Sequence, residues 1–217
     1  MDKELFINEV KKLGIDLSDK MLWQLNRYFE LLCEWNEKIN LTRIIEENDV
    51  YLKHFYDSIT LFKTVDLCKK MSVCDIGTGA GFPGIVLKIV FPTLSITLVD
   101  ALLKRIKFLN IVIEELGLQD IKTVHARAED YAKENPSQFD VVTCRAVASL
   151  PTLLTYSIPL VKINGYFIPM KANASDEILA SKPLLRKMKC EIEEIMEFDL
   201  PIENSHRTII KIVKKRK

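Results

Sequence analysis

Asp75-Ile76-Gly77-Thr78-Gly79-Ala80-Gly81-Phe82-Pro83-Gly84 decides how this 217-residue chain folds. Glycines at 77, 79 and 81 let the backbone turn tightly and approach a ligand closely, and Pro83 suits the opening turn of a helix. An apolar run at 72–76 precedes the turn and a helical pattern at 85–91 follows it, so the unit is strand, turn, helix. Working outward, short β-branched runs at 95–99, 121–125, 139–144 and 166–170 read as strands. Helix-like segments at 101–116 and 175–187 fall among them. Such alternation implies a mostly parallel sheet covered on both faces. The runs at 190–196 and 208–213 have only a turn-rich stretch between them, which predicts an antiparallel hairpin at one edge: six strands one way and one reversed. Before residue 66 the pattern is helical. Leu22, Leu25, Phe29, Leu32, Trp35 and Ile39 form one apolar stripe opened by Ser18, and a second helix is predicted over 46–63. The expected division is a helical cap at 1–66 and an α/β domain at 67–217.

Hydrophobic residues at 48%, charged residues at 28%, and only 7 Gly and 8 Pro exclude disordered and collagen-like classes. A chain of this length buries roughly 70% of its unfolded surface, enough for a core without staples. The opening MDKELFINEV has no signal-peptide pattern, and no apolar run approaches a membrane span, so a soluble cytoplasmic protein is expected. Five cysteines without a CxxC pair, and three scattered histidines, point away from disulfides and metals. The net charge of +1 hides an asymmetry: residues 211–217 hold five Lys or Arg, and the rest of the chain, with 26 basic against 30 acidic residues, is at −4. That basic end either solvates the terminus or extends a polyanion-binding patch.

The glycine turn fits two cofactor templates. Gly79-x-Gly81-x-x-Gly84 satisfies the dinucleotide fingerprint, and Asp75-x-Gly77-x-Gly79-x-Gly81 satisfies the DxGxGxG turn of S-adenosylmethionine-dependent enzymes. A pyrophosphate would be repelled by Asp75, whereas the ammonium and sulfonium of S-adenosylmethionine are attracted to a carboxylate. The dinucleotide register also begins too late after the strand. S-adenosyl-L-methionine is therefore the expected cofactor, and an NAD-dependent oxidoreductase is the weaker reading.

Ligands of such sheets bind beyond the carboxyl ends of the strands. Asp100, ending the second strand, can accept ribose hydroxyls or cap the next helix. Ala128 and Glu129, after the third strand, can meet an adenine edge, or Glu129 can serve as a first-turn acid. Arg145 ends the fourth strand, where it is costly unless a ligand or partner holds it.

Taken together, NLT (40–42), HxxDS (54–58), DIGTGAGFPGI (75–85), RAE (127–129), FDVVTCRAVASL (139–150), GYFIPMKA (165–172) and HRTIIKI (206–212) resemble the bacterial 16S rRNA guanine-N7 methyltransferase family RsmG, also called GidB. The resemblance implies a Rossmann-like class I S-adenosylmethionine-dependent methyltransferase sheet with an N-terminal helical cap. It implies cofactor contacts at Gly77, Gly79, Gly81, Phe82, Ala128, Glu129 and Arg145, with Asp100 on the ribose. It also places Asn40, His54, Asp57, Lys104, Lys171 and Arg207 on the RNA side. The implied partner is 16S rRNA or the 30S subunit, met by a monomer without metal or membrane. One departure is Ala101-Leu102-Leu103, where a more polar turn is expected. Without the resemblance, Asn40 reads equally well as a helix end, and His54 with Asp57 as a surface pair.

The implied reaction is methyl transfer to N7 of a guanosine in the 530 loop (nucleotide 527 in the usual rRNA numbering). The alternatives are another RNA, a small-molecule acceptor, or noncatalytic RNA binding. Guanine N7 carries no proton at neutral pH, so an in-line displacement needs no general base. Phe82 or Tyr56 could flank the base, and Lys104, Arg105 and Lys107 form a candidate basic patch.

Overall fold

The computed structural model describes residues 1–145 and 148–216; Ala146 and Val147, within the CRAVASL stretch, and Lys217 lie outside them. The chain opens with α1 (Lys3–Lys12) and α2 (Asp19–Ile39). As the sequence predicts, Ser18 caps α2, its hydroxyl oxygen accepting the Met21 N–H at 3.3 Å. The helix expected over 46–63 is instead four joined segments. These are α3 (Glu47–Val50), a π-helical turn (Tyr51–Tyr56), α4 (Asp57–Ile59) and a 3₁₀ turn (Thr60–Lys63). Tyr51, Leu52, His54, Phe55, Tyr56, Asp57, Ser58 and Ile59 are all buried, so this stretch is enclosed on every side and shows no clear apolar stripe.

Then follow β1 (Ser72–Ile76), α5 (Gly84–Val90), β2 (Ser95–Asp100), α6 (Leu103–Glu115), β3 (Ile121–His125), α7 (Ala128–Glu134), β4 (Phe139–Arg145) and α8 (Leu150–Leu160). The chain continues through β5 (Val161–Lys171), α9 (Ser175–Lys187), β6 (Cys190–Asp199) and β7 (His206–Lys214). The sheet order is β3-β2-β1-β4-β5-β7-β6. Strands β1 to β5 pair parallel, while β7 lies antiparallel between β5 and β6. The reversed strand is thus the last one, inserted one place in from the edge. Alternate strand residues face opposite cores. Val73, Leu98 and Val141 pack with α1, α2, α5 and α6, whereas Cys74, Val99 and Val142 pack with α7, α8 and α9.

Strand order reverses between β1 and β4, and the glycine turn sits at that switch point. Gly77, Gly79 and Gly81 all have positive φ, at 65°, 63° and 105°. At Gly81 an added Cβ would lie 2.6 Å from both the Tyr28 hydroxyl and Ile85 Cγ1. Gly81→Ala is expected to cost about 2–4 kcal/mol, combining a left-handed backbone penalty with overpacking. Urea unfolding measures this directly, and a change under 0.5 kcal/mol would contradict it.

One expectation is corrected by the register of β7. Thr208 pairs with Lys171 at the ligand end, and Val213 pairs with Tyr166 at the other. Lys211 and Lys214 therefore lie about 13 Å and about 23 Å along the strand from Arg207, toward the far end of the sheet. There Lys214 Nζ donates to the carbonyls of Ile158 at 3.0 Å and Val161 at 2.6 Å. Lys214 thus closes the end of α8, while Lys211 and Lys215 pair with Glu193 and Glu191 on β6, so these residues do not extend a patch around the ligand end.

Candidate active site

Three cavities line up along the carboxyl ends of the strands. One of about 370 Å³ is walled by Gly77, Val99, Asp100, Leu102, Ala126, Ala128, Glu129 and Tyr156. A second of about 200 Å³ lies between the NLT loop and the glycine turn, lined by Thr42, His54, Gly77, Gly79, Phe82, Arg105 and Arg145. The third, of about 450 Å³, is bounded by Ile44, Lys53, His54, Asp57, Arg145, Met170, Lys171, Asn173 and Arg207. Gly77 borders the first two, and His54 with Arg145 borders the last two, so the three form one trough.

The turn is braced from beneath. Asp75 is fully buried; its Oδ2 accepts from the Thr78 hydroxyl at 2.6 Å and from the Gly84 N–H at 2.9 Å. Its other oxygen has no partner. Burial raises the Asp75 carboxyl to about 6, against the pull of its two donors. The charge expected to face a ligand directly instead holds the loop. Tyr28 on α2 adds a second brace, its hydroxyl donating to the Ala80 carbonyl.

Asp100 organises the neighbouring turn. Its Oδ2 accepts from the Gly79 N–H at 2.9 Å and Arg105 Nη1 at 3.2 Å, and its Oδ1 from the Leu102 N–H at 2.9 Å. Glu129 is exposed on the opposite wall, with no hydrogen bond or ion pair among the described residues. The residues fit a nucleoside carrying a cationic tail. The floor is apolar, two carboxylates flank it, and a Cβ added at Gly79 would meet nothing nearer than the Gly77 carbonyl oxygen at 3.9 Å.

Between the second and third cavities, side chains from four segments converge. Arg145 Nη1 donates to the Lys53 carbonyl at 2.7 Å and to Asp57 Oδ2 at 3.2 Å, and Nη2 donates to His54 Nδ1 at 2.8 Å. The π-turn makes this possible. The Asp57 N–H bonds the carbonyls of Leu52 and His54, while the Lys53 carbonyl accepts from Arg145. Arg207 Nε donates to Asp57 Oδ1 at 3.1 Å, so one carboxylate lies between two guanidinium groups. The His54 ring stacks on Phe82 with centroids 4.3 Å apart, and the Arg145 guanidinium lies 5.2 Å from the same ring. Because an arginine only donates, His54 Nδ1 must accept, which assigns the neutral tautomer with its proton on Nε2. Burial first, and the Arg145 charge second, lower the His54 imidazole to about 3. This histidine is neither a surface residue nor a free base.

The remaining candidates are placed less simply. Asn40 takes a left-handed conformation (φ 50°) and caps α2, its N–H bonding the Asn36 carbonyl. Lys104 Nζ donates to the Ile39 carbonyl at 2.9 Å. Lys171 lines the third cavity but is held by Glu177 at 2.6 Å and the Ala148 carbonyl at 2.7 Å. Tyr56 is buried and borders none of the three cavities, so Phe82 alone of that pair reaches them. Thr42, Lys53 and Arg105 border the trough without being picked out individually by sequence reasoning. Thr42 stood inside the quoted NLT element, and Arg105 inside the proposed basic patch. Lys53 gave no signal, because its contribution is a backbone carbonyl. No cluster of three or more His, Cys, Asp or Glu at metal-binding geometry occurs among the described residues.

The chain matches the family described as rRNA small subunit methyltransferase G (GidB) over residues 21–206. It is 49% identical to the ribosomal RNA small subunit methyltransferase G of Oceanobacillus iheyensis over 219 aligned residues, covering 100% of this chain and 92% of the relative. The protein of the same name from Lysinibacillus sphaericus is 47% identical, over 96% of this chain and 89% of the relative. Among solved structures, a SAM dependent methyltransferase from Aquifex aeolicus aligns with a TM-score of 0.58 at 15% identity, over 77% of this chain and 93% of that one. A precorrin-6y C5,15-methyltransferase from Geobacter metallireducens aligns at 0.56 and 16% identity, over 74% and 88%. The structural likenesses concern the fold, which is the Rossmann-like class I arrangement that the family resemblance implies. With sequence similarity running through the cap, the turn and the hairpin alike, the chain belongs to the rRNA small subunit methyltransferase G family.

Proposed function

We propose that the chain transfers a methyl group from S-adenosyl-L-methionine to N7 of a guanosine in the 530 loop of 16S rRNA, nucleotide 527 in the usual numbering, by in-line displacement without a general base. The observation that carries this reading is the pair of cavities sharing His54 and Arg145, one beside the glycine turn and one bordered by Arg145, Lys171 and Arg207. The cofactor supplies an electrophilic methyl group on a sulfonium. Asp100 and Glu129 hold the nucleoside end, and the Gly77–Gly79 backbone allows close approach at the bend. The cations of the third cavity suit the phosphates of an unstacked nucleotide, since N7 is hidden in a duplex groove.

Three features keep positive charge from opposing the reaction. Asp57 compensates Arg145, His54 stays neutral, and the Phe82 ring lies beside the guanidinium. The His54 Nδ1 lone pair is engaged by Arg145, so no proton acceptor is free there, which suits a nucleophile with no proton to lose. Rate acceleration then rests on positioning, which can supply roughly 7–11 kcal/mol. The charged edge strand β6, with Glu191, Glu193 and Glu197 exposed, disfavours edge pairing and suits a monomer working in the cytoplasm on 30S particles or their RNA.

Methyl-labelled donor, incubated with 30S subunits and with deproteinised 16S rRNA from a strain lacking the modification, tests the proposal. Label recovered as 7-methylguanosine supports it. Absence of label in both RNAs, from protein that binds the donor, moves the acceptor to another RNA or a small molecule. Asp100→Ala should weaken donor binding about ten- to a hundredfold by calorimetry, because it removes a charged hydrogen-bond acceptor. Unchanged affinity would refute its assigned role.

A further inference from the structure

We infer that Asn173 is a specificity-determining residue, whose side-chain amide donates to O6 of the acceptor guanine and rejects adenine at the same place. The inference deepens the proposed function and rests on it. The third cavity, at about 450 Å³, is the largest of the three and has room for a purine, with apolar flanks in Ile44 and Met170. Its wall shared with the second cavity, His54 and Arg145, is the side from which the methyl group arrives, so the base turns N7 toward that wall. The purine edge that carries N7 also carries the 6-substituent: O6, an acceptor, in guanine, and the N6 amino group, a donor, in adenine. What the cavity offers to that edge therefore decides between the two bases.

The polar side chains at this cavity offer donors. Asp57, the one carboxylate among the lining residues, is enclosed, with its oxygens held by Arg145 at 3.2 Å and Arg207 at 3.1 Å. Lys171 is committed to Glu177 and the Ala148 carbonyl. Asn173, exposed on the rim just past the end of β5, is fixed in sense: its Oδ1 accepts the Ser175 N–H at 3.1 Å, and a backbone N–H can only donate. Turning the amide over would set Nδ2 against that N–H. Nδ2 is thus the atom left for a ligand, and it has no hydrogen-bond partner among the described residues. An asparagine reads adenine by using both amide atoms, oxygen to N6 and nitrogen to N7. Here the oxygen is directed at Ser175 and N7 must stay bare for the methyl group, which leaves donation to O6. A neutral donor also suits the reaction. A cation on O6 would draw electron density from the adjacent N7, and an amide draws less.

The full chain is tested on 16S rRNA, free and reconstituted into 30S particles, carrying guanine, hypoxanthine, 2-aminopurine or 2,6-diaminopurine at the target position, with kcat/KM as the readout. Hypoxanthine keeps O6 and lacks only the 2-amino group, so wild type should methylate it within about threefold of guanine. 2-Aminopurine lacks O6, and 2,6-diaminopurine puts a donor there. In Asn173→Ala the preference for guanine over 2-aminopurine should fall about five- to tenfold relative to wild type, the worth of one hydrogen bond. Asn173→Asp keeps the oxygen that holds the Ser175 N–H and exchanges the donor for an acceptor. Its preference for 2,6-diaminopurine over guanine should rise by at least as much. Ratios cancel any general change in RNA affinity or in the start of α9. A ratio within about twofold of wild type in either variant would overturn the inference. So would a wild type that methylates hypoxanthine more than about threefold more slowly than guanine, because the 2-amino group would then be the feature read. If Asn173→Ala fails to fold, the aspartate variant and the hypoxanthine result still decide. Wild-type protein that binds the donor but leaves guanine unmethylated in both RNA forms would refute the proposed function itself, whereas unchanged ratios with guanine methylated refute only the role of Asn173.

Discussion

Asp57→Ala is expected to remove about 3–5 kcal/mol of stability, the cost of leaving a buried charge without its partner. The Asp57 side chain is 5% exposed and the Arg145 side chain 15%, and Arg207 shares the same carboxylate. Burial already lowers the Arg145 guanidinium pKa, and Asp57 leads the charges that oppose this, ahead of Asp75. Removing it leaves two cations facing each other across the wall of the third cavity. Asp57→Asn should cost less, because an amide oxygen can still accept one of the two bonds. A double replacement of Asp57 by Leu and Arg145 by Met should recover much of the loss while abolishing methyl transfer. Urea unfolding of the four proteins distinguishes these outcomes. A loss under about 1 kcal/mol for Asp57→Ala would mean that the two arginines are solvated and the pair is ornamental.

The second large effect is in acid, where two buried groups titrate in opposite senses. His54 has its folded pKa lowered from 6.5 to about 3. Between those values the unfolded chain binds a proton that the fold does not, so stability is lost as pH falls, at about 1.4 kcal/mol per pH unit. Asp75 has its folded pKa raised from 3.8 to about 6. There the folded chain binds the extra proton, so stability is gained as pH falls from 6 toward 4. Wild type should consequently change little across pH 6 to 4 from these two groups. Asp75→Asn should lose about 1–3 kcal/mol over that range through His54 alone, and His54→Gln should gain by a similar amount through Asp75. Denaturant titrations at pH 7, 6, 5 and 4 measure the slopes. Parallel slopes in all three proteins would exclude the opposed pair.

Much of the fold is legible because its signals are local. The strands are apolar runs a few residues long, and the run read at 95–99 differs from β2 by one residue. Ser18 and Asn40 mark both ends of α2 by rules that operate within a single turn. Contacts between distant residues are harder to read. Nothing near residue 208 says that β7 enters between β5 and β6, because that order depends on pairing with Lys171 and Glu197. Arg145 is legible as needing a partner, but its acid lies 88 positions earlier, on a turn whose π-helical register leaves no periodic trace. The lysines at 211 and 214 advertise a basic end by composition, while the strand direction that carries them away from the site is a tertiary property. Thr42 is hidden for a different reason: a hydroxyl that meets an imidazole looks, in sequence, like any loop threonine.

The insertion of β7 also orders events in time. Strand β6 has β7 as its neighbour in the sheet, and β7 brings Arg207 to Asp57. Until β7 is synthesised and docked, β6 has no template, Asp57 lacks one of its two cations, and the third cavity lacks a wall. Assembly of the RNA-facing side is thus deferred to the closing stretch of translation, whereas the glycine turn and its braces, encoded before residue 101, can form earlier. A nascent chain of this kind would acquire a nucleoside pocket before it acquired a place to put its acceptor.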